Sequence, residues 1–198
     1  AALYAAGTFT TAGGVTVNRV AKWNGSQWSA LGSGLGGGTS PSVNALVVFD
    51  DGTGPKLYAG GRFTSSGSTP VKYVAKWTGT AWAQVGTGLA TQVYALAVFN
   101  DGTGSRLFAG GSFSTANSIT FNRLAKWNGS AWQGTDMGGV LRAIWAPAAD
   151  DAWALGDQGR TLRWNGSQWG TVSSGPQPCN QARSIWGSSP SDIWAVGE

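Results

Sequence analysis

Four copies of one short hairpin motif constrain the fold of this chain more than any other feature. Each copy has two tryptophans separated by four residues, with Asn-Gly or Thr-Gly after the first and a basic residue before it. Asn-Gly between β-forming runs favours a tight turn, because both residues tolerate a positive φ. The motif therefore predicts a repeat protein built from β-sheets. The pairs are Trp23 with Trp28, Trp77 with Trp82, Trp127 with Trp132, and Trp164 with Trp169.

The turn chemistry also predicts how each tryptophan pair is arranged. We expect Asn24 and Gly25 to form a two-residue turn, which would place Trp23 opposite Ser26. Trp28 would then project from the same face as a diagonal neighbour of Trp23, within aromatic reach. Paired indoles form either a binding platform or a packing element between adjacent sheets. We favour packing, because large aromatic side chains repeated in register are usually core residues.

A second motif shows that the whole chain is repetitive. Aromatic-Ala-Gly-rich segments begin at Tyr4, Tyr58 and Phe108, and divergent copies begin at Trp153 and Trp194. A period of roughly 40–50 residues is typical of solenoids and propellers. We interpret residues 1–198 as a single propeller domain or segment. Its repeats span residues 1–42, 43–92, 93–139, 140–181 and 182–198.

The second repeat illustrates the strand pattern. Residues 43–49 form a nearly continuous apolar run, which is expected of a strand buried on both faces. Further strands are predicted at 57–64, with a close backbone approach or a bulge at its two glycines, at 73–77 and at 82–85. The full count is seventeen strands, in groups of three, four, four, four and two. Because the pattern begins and ends within a repeat, a segment of a larger ring is favoured over a closed four-bladed ring.

The motifs resemble known propeller repeats. A buried strand, an acidic-Gly turn and a strand ending in Trp resemble a WD40-type unit, although its G-H and W-D dipeptides are missing. Y-A-G-G is similar to kelch repeats. The strongest resemblance is to Gly- and Trp-rich tandem repeats of large bacterial secreted or surface propellers, in which W-G-S-S-P-x-D-[IV]-W-A-V-G recurs, as it does from Trp186 to Gly197. This resemblance implies an all-β propeller with an extracellular or cell-surface location.

Composition excludes several classes of partner. Only 11% of the residues are charged, and the net charge of +4 is scattered rather than clustered. No basic cluster follows a phosphate backbone, so nucleic-acid binding is not expected. No apolar run is long enough for a membrane span. The single cysteine, Cys179, has no partner for a disulfide within the sequence and is interpreted as a free thiol.

The candidate binding residues lie at the ends of three insertions. Residues 11–18, 65–72 and 115–122 join the second and third strands of their repeats and are rich in Ser, Thr, Gly and Asn. Insertions on one face of a repeat protein often form its binding face. Amide, hydroxyl, guanidinium and aromatic groups together suit polar neutral ligands such as sugars, and the alternative is an inert solvated loop. The candidate residues are Asn18, Arg19, Lys72, Tyr73, Asn122 and Arg123.

Catalysis, metal binding and cofactor binding are not expected. The chain has no histidine, which excludes a Ser-His-Asp triad or a histidine metal site within it. The acidic turns that begin at Asp50 and Asn100 lack the alternating acids and final Glu of an EF-hand loop. The apolar strands 43–49 and 93–99 contain no carboxylate that would serve a propeller glycosidase or lyase.

Three functional hypotheses remain. The first is a non-enzymatic extracellular binding or scaffold module that presents loops on one face. The second is a multivalent carbohydrate-binding, lectin-like propeller with one site per blade. The third, a propeller glycosidase or lyase, is the least favoured. Candidate partners are a glycan, another protein, the remainder of a longer parent chain, or a second copy that pairs with an open sheet edge.

Overall fold

The computed structural model describes residues 2–116, 119–120, 123–148, 150–172, 182–189 and 191–197. Within these ranges all regular secondary structure is β-strand, and no helix occurs. The chain divides into two compact units, Ala1–Val93 and Tyr94–Glu198. The fold is an all-β propeller whose complete blades are four-stranded antiparallel sheets.

The first unit contains one three-stranded and one four-stranded sheet. The spatial order in the first sheet is β1 (Leu3–Ala6), β4 (Val20–Trp23) and β5 (Trp28–Ala30). The order in the second is β11 (Trp82–Gln84), β10 (Val74–Trp77), β7 (Pro55–Arg62) and β6 (Ser42–Asp50).

The second unit contains two four-stranded sheets and one two-stranded sheet. The first is formed by β12 (Val93–Asn100), β13 (Ser105–Gly111), β16 (Arg123–Trp127) and β17 (Trp132–Asp136). The second is formed by β18 (Leu141–Ala148), β19 (Asp151–Gly156), β20 (Thr161–Trp164) and β21 (Trp169–Thr171). The last pair is β22 (Ala182–Ser189) and β23 (Asp192–Gly197). These sheets confirm the predicted grouping of seventeen blade strands.

The three insertions contain short β-hairpins rather than plain loops. Each hairpin has two residues per strand, and its strands pair only with each other. The valines that follow the first two hairpins, Val17 and Val71, are buried and anchor the insertions to the blades. The hairpins are β2 (Thr11–Ala12) with β3 (Val15–Thr16), β8 (Ser65–Ser66) with β9 (Thr69–Pro70), and β14 (Thr115–Ala116) with β15 (Ile119–Thr120).

The predicted burial of the first strand of each blade holds for β12 but is wrong for β6. Consecutive residues 95–97 of β12 are buried, so both faces of that strand are covered. In β6, by contrast, Val48 is 57% exposed. Both strands lie at the edge of their sheets, so edge position does not explain the difference, and an apolar run there does not guarantee two covered faces. The predicted close approach is present at Gly61, where a Cβ would meet the Ser42 carbonyl oxygen at 2.2 Å, and the register shift opposite the two glycines lies on β6, between Val43 and Ala45.

The predicted register of the Trp hairpin is wrong by two residues on the second strand. Trp23 pairs directly with Trp28, so the loop has four residues rather than two. The Asn24 side chain explains the longer loop, because its Oδ1 accepts hydrogen bonds from the backbone N–H groups of Ser26 and Gln27 at 2.9 Å. Only Gly25 in this loop has a positive φ, of 106°, whereas a two-residue type I′ turn needs two such residues.

The tryptophan pairs pack against neighbouring blades. In the first unit, buried Trp82 donates a hydrogen bond from Nε1 to the carbonyl oxygen of Leu31, 3.1 Å away, just beyond β5. In the second unit, the ring centroids of Trp164 and Trp169 lie 6.5 and 6.1 Å from that of Phe99 in the preceding blade. Within each pair the rings are tilted, with centroids 5.4–6.0 Å apart. These contacts are those of a packing element between sheets.

Candidate functional site

The residue that directly follows the insertion has the same strained backbone in three repeats. Arg19, Tyr73 and Arg123 have φ values of 64°, 65° and 79°. A left-handed conformation is costly for residues with a Cβ and must be maintained by the surrounding structure. In the first repeat the Arg19 N–H donates to the Phe9 carbonyl and its own carbonyl accepts from the Gly7 N–H. Tyr73 makes the equivalent two hydrogen bonds, so pairing with the sheet fixes the backbone position from which these side chains project.

The preceding residue joins the insertion to the connection between blades. The carbonyl oxygen of Asn18 accepts a hydrogen bond from the Leu35 N–H at 2.9 Å, and that of Lys72 accepts from Leu89 at 3.3 Å. A Cβ on Gly34 would lie 2.4 Å from the Asn18 Cβ, so only glycine permits this approach. The Asn18 Nδ2 also donates to the Ser33 carbonyl oxygen at 2.8 Å. The insertion and the connection therefore form one ordered surface.

In the first unit this surface extends to the next blade. The N–H of Gly36 donates to the carbonyl oxygen of Ser65 at 2.8 Å, and the Ser65 N–H donates back at 2.9 Å. Gly37 has a φ of 75°, and a Cβ there would lie 2.5 Å from the Thr64 hydroxyl. The glycines of residues 36–38 thus allow the connection to lie directly against the second insertion hairpin.

An open pocket lies where these segments meet. Its volume is about 470 Å³, within the usual range for small-molecule sites. Two predicted residues, Asn18 and Arg19, line it together with residues that sequence reasoning missed. The run of three glycines at 36–38 was the available signal for a close backbone approach. The lining residues are Asn18, Arg19, Ser33, Gly36, Gly37, Ser65 and Gly67.

The electrostatics of the pocket are set by one guanidinium. No acidic residue lines the pocket. Arg19 belongs to none of the ion pairs found in the described ranges. Its Nε is shielded from solvent and has no hydrogen-bond partner there. Arg123, at the same position of the third repeat, instead donates from Nη1 to the Ser112 carbonyl oxygen.

The structure does not bring the other predicted site residues into this pocket. Lys72 and Tyr73 belong to the second repeat and do not line the pocket. The Lys72 Cβ lies close against Gly88. Arg123 is held by its own blade through Ser112. Asn122 lies outside the described residues, as does Cys179.

The opposite end of the second blade carries a polar network that the sequence did not reveal. The Oδ2 of Asp51 accepts hydrogen bonds from the Lys76 ammonium at 2.8 Å and from the Tyr58 hydroxyl at 2.9 Å. The Thr53 hydroxyl donates to Oδ1 at 2.6 Å. The hydrogen bond from Lys76, followed by that from Thr53, holds the pKa of Asp51 well below its usual value. Burial, with the hydrogen bond to Asp51 second, raises the pKa of Tyr58.

The same ion pair recurs in the next two blades. Lys126 pairs with Asp101 at 2.5 Å, and Arg163 pairs with Asp151 at 2.8 Å between Nε and Oδ1. Burial acts to raise the pKa of Asp101, but hydrogen bonds from Lys126 and Thr103 outweigh it and leave the pKa lowered. The basic residue before the first tryptophan of these motifs therefore serves to bind the acidic turn of its own blade.

Two further features are absent from the described part of the chain. No group of three or more His, Cys, Asp or Glu residues is arranged to hold a metal ion there. The described residues also include no helix with the length and apolar character needed to span a membrane.

The four-stranded blades and the tandem repeats define the class of protein as a β-propeller. The family model of the Rax2 C-terminal beta propeller domain matches residues 33–185, and the chain belongs to this family. The matched region begins at Ser33, in the connection that lines the pocket, and continues through all complete blades. A search of curated proteins found no match to the chain.

Proposed function

We propose that this propeller is a non-enzymatic binding module whose ligand occupies the pocket between the first two blades. The observation that carries the proposal is the convergence of Asn18 and Arg19 with a connection and a hairpin from the next blade. The main-chain hydrogen bonds at Gly36 and Ser65 fix this arrangement before any ligand arrives. Pre-organised polar groups on a rigid scaffold are well suited to recognition.

The placement of acidic side chains supports binding rather than catalysis. General acid–base chemistry needs a titratable group beside the reacting bond. The carboxylates of Asp51, Asp101, Asp151 and Asp157 are held by ion pairs, and none lines the pocket. The only strong charge among the lining residues is the Arg19 guanidinium, which is a fixed hydrogen-bond donor with no acceptor. Such a site attracts and orients a ligand without transferring protons.

We place the action of the module outside the cell, at a surface or in the surrounding medium. The support is the resemblance of residues 186–197 to repeats of secreted and surface propellers. Candidate partners remain a glycan or another protein.

A carbohydrate is the ligand class that we test first. The lining combines Asn18 and two serines with glycine backbone, and polar groups of this kind bind sugar hydroxyls. The corresponding residues of the next two repeats, Tyr73 and Arg123, differ in type or are already hydrogen-bonded. One site at the first blade junction is therefore better supported than the multivalent arrangement with one site per blade.

The test is a glycan array probed with the labelled protein and with two tryptophan substitutions. Ser33→Trp places a bulky ring in the pocket, whereas Gln27→Trp places one at the exposed tip of the Trp hairpin. We expect wild type and Gln27→Trp to bind the same glycans and Ser33→Trp to lose them. Equal binding by both variants would contradict a ligand in this pocket. If no glycan binds, cross-linking at Ser33 in an extracellular protein mixture tests a protein ligand, with position 27 as the control.

A further inference from the structure

We propose that the pocket recognises the carboxylate of an acidic sugar, with the Arg19 guanidinium as the group that binds it. This inference rests on the proposed binding function and specifies its ligand. It starts from an imbalance in the pocket: a cation lines it, no anion does, and the cation has no partner in the described chain.

The environment of Arg19 favours an anionic ligand. Its Nε is shielded from water and makes no hydrogen bond, so the guanidinium is incompletely solvated. Burying part of a charged group without a partner costs free energy, and an anion would recover part of that cost. The terminal nitrogens donate no hydrogen bond to the described residues, and Nη1 lies only 3.5 Å from where a Gly36 Cβ would be. They are the donors available to a carboxylate, whose planar shape matches the guanidinium.

The neighbours of Arg19 indicate a sugar rather than an inorganic anion. The hydroxyls of Ser33 and Ser65 make no hydrogen bond to the described chain, so they remain available. The Asn18 Nδ2 donates to the Ser33 carbonyl oxygen, which leaves the Asn18 Oδ1 as the acceptor for a ligand hydroxyl. A volume of about 470 Å³ accommodates one or two sugar rings. Aromatic and aliphatic side chains, which bind apolar peptide residues, are not among the lining residues.

Arg123 shows that the position alone does not create the site. It shares the strained backbone of Arg19, but its Nη1 is bonded to the Ser112 carbonyl oxygen. The two residues equivalent to Ser112 are Thr8 in the first repeat and Arg62 in the second. An arginine whose hydrogen bonds are satisfied by its own blade has less to gain from a carboxylate. We therefore assign acidic-sugar recognition to Arg19 alone.

The test compares methyl glucuronide, methyl glucoside and inorganic phosphate by isothermal titration calorimetry and saturation-transfer NMR. The Arg19→Gln variant removes a positive charge from the pocket, and the Lys22→Gln variant removes one from an exposed strand position. We expect wild type and Lys22→Gln to bind the glucuronide about tenfold or more tightly than the glucoside, in line with a charge-assisted hydrogen bond. Arg19→Gln should lose that preference, and phosphate should compete only weakly.

Four outcomes would overturn the inference. Equal affinity for the two glycosides, or an unchanged preference of Arg19→Gln for the glucuronide, would show that the guanidinium does not bind the carboxylate. Phosphate that binds as tightly as the glucuronide would identify a site for free anions rather than sugars. Failure of glucuronate, galacturonate and N-acetylneuraminate glycosides to bind folded protein would exclude the acidic-sugar class. Binding of neutral glycans that Ser33→Trp abolishes would leave the proposed function intact in each case.

Discussion

The two ends of a blade differ in how strictly they repeat. At one end, Lys76 and Asp51 form an ion pair whose counterparts recur in the next two blades. At the other end, the equivalent insertion residue is Arg19, Tyr73 or Arg123, and its side chain meets a different environment in each blade. Strict repetition accompanies residues that hold these three blades together in the same way. Divergence accompanies a pocket that forms at one blade junction.

The largest expected effect on stability is at Trp82, in the Trp hairpin of the second blade. Trp82 is 2% exposed and its Nε1 donates to the Leu31 carbonyl oxygen. We expect Trp82→Ala to reduce the free energy of unfolding by about 3–5 kcal/mol, because it creates a cavity and removes the hydrogen bond from Nε1 to the Leu31 carbonyl oxygen, which keeps only its bond from the Gly34 N–H. Chemical denaturation monitored by circular dichroism measures this loss.

Trp28 provides the matched control for that substitution. It occupies the same position of the first hairpin but is only half-buried. We expect Trp28→Ala to cost clearly less than Trp82→Ala. Equal losses would show that the tryptophan pair acts mainly within its hairpin, rather than by packing on the neighbouring blade.

Sequence reasoning predicted the blade architecture well, because period and strand count depend on patterns that survive variation. It failed at the Trp hairpin, where Asn24 uses its side-chain oxygen to cap a four-residue loop. An Asn-Gly pair is compatible with both loop lengths, so the dipeptide alone could not fix the register. The exposure of Val48 was also missed, because an apolar run does not show which of its residues neighbouring elements cover.

The pocket was only partly predictable, for a different reason. Asn18 and Arg19 were found from their place at the end of an insertion, but Ser33 and Ser65 contribute through a connection and a separate blade. Their convergence depends on tertiary contacts between Gly36 and Ser65. The sequence also cannot distinguish Arg19 from Arg123, whose difference is a hydrogen bond to Ser112.

The second prediction concerns the ion pair between Asp51 and Lys76, at the end of the blade that repeats strictly. We expect Asp51→Asn to cost about 1–3 kcal/mol, the range for loss of a charge-assisted hydrogen bond, because Lys76 loses its partner. Asp50→Asn is the control. The third repeat has Asn100 at that position, and its Oδ1 accepts the same two glycine N–H bonds as that of Asp50. Thermal denaturation of the two variants should separate them, with Asp50→Asn close to wild type.

The lowered pKa of Asp51 gives this prediction a pH dependence. Below the unfolded-state pKa, whose ordinary value is 3.8, the unfolded chain binds a proton that the folded carboxylate resists. The contribution of Asp51 is therefore complete at neutral pH and is lost as the pH falls through about 4 toward the folded pKa. Wild type and Asp51→Asn should converge in stability on acidification. A difference that stays constant from pH 7 to pH 2.5 would contradict the assigned ion pair.

A smaller effect is expected at the hairpin tip. Asn24→Ala removes the acceptor of two backbone N–H groups, and we expect a loss of about 1 kcal/mol by analogy with helix-capping residues. The second hairpin has Thr78 there, which accepts one such bond, from Ala81 at 3.2 Å. Thr78→Asn should therefore leave stability unchanged or raise it slightly. Urea denaturation of both variants tests whether the asparagine cap explains the loop.

The smallest expected change in stability lies at the divergent end, where Arg19 and Arg123 share a backbone conformation. Arg123→Gln should cost about 1 kcal/mol, because it removes a charge-assisted bond to the Ser112 carbonyl. Arg19→Gln should change the free energy of unfolding by less than about 0.5 kcal/mol, because its side chain has no hydrogen bond to lose. Parallel urea titrations measure both values. A large loss in Arg19→Gln would show that this arginine supports the fold, whereas a neutral result would leave ligand binding as the role that accounts for its unpaired charge.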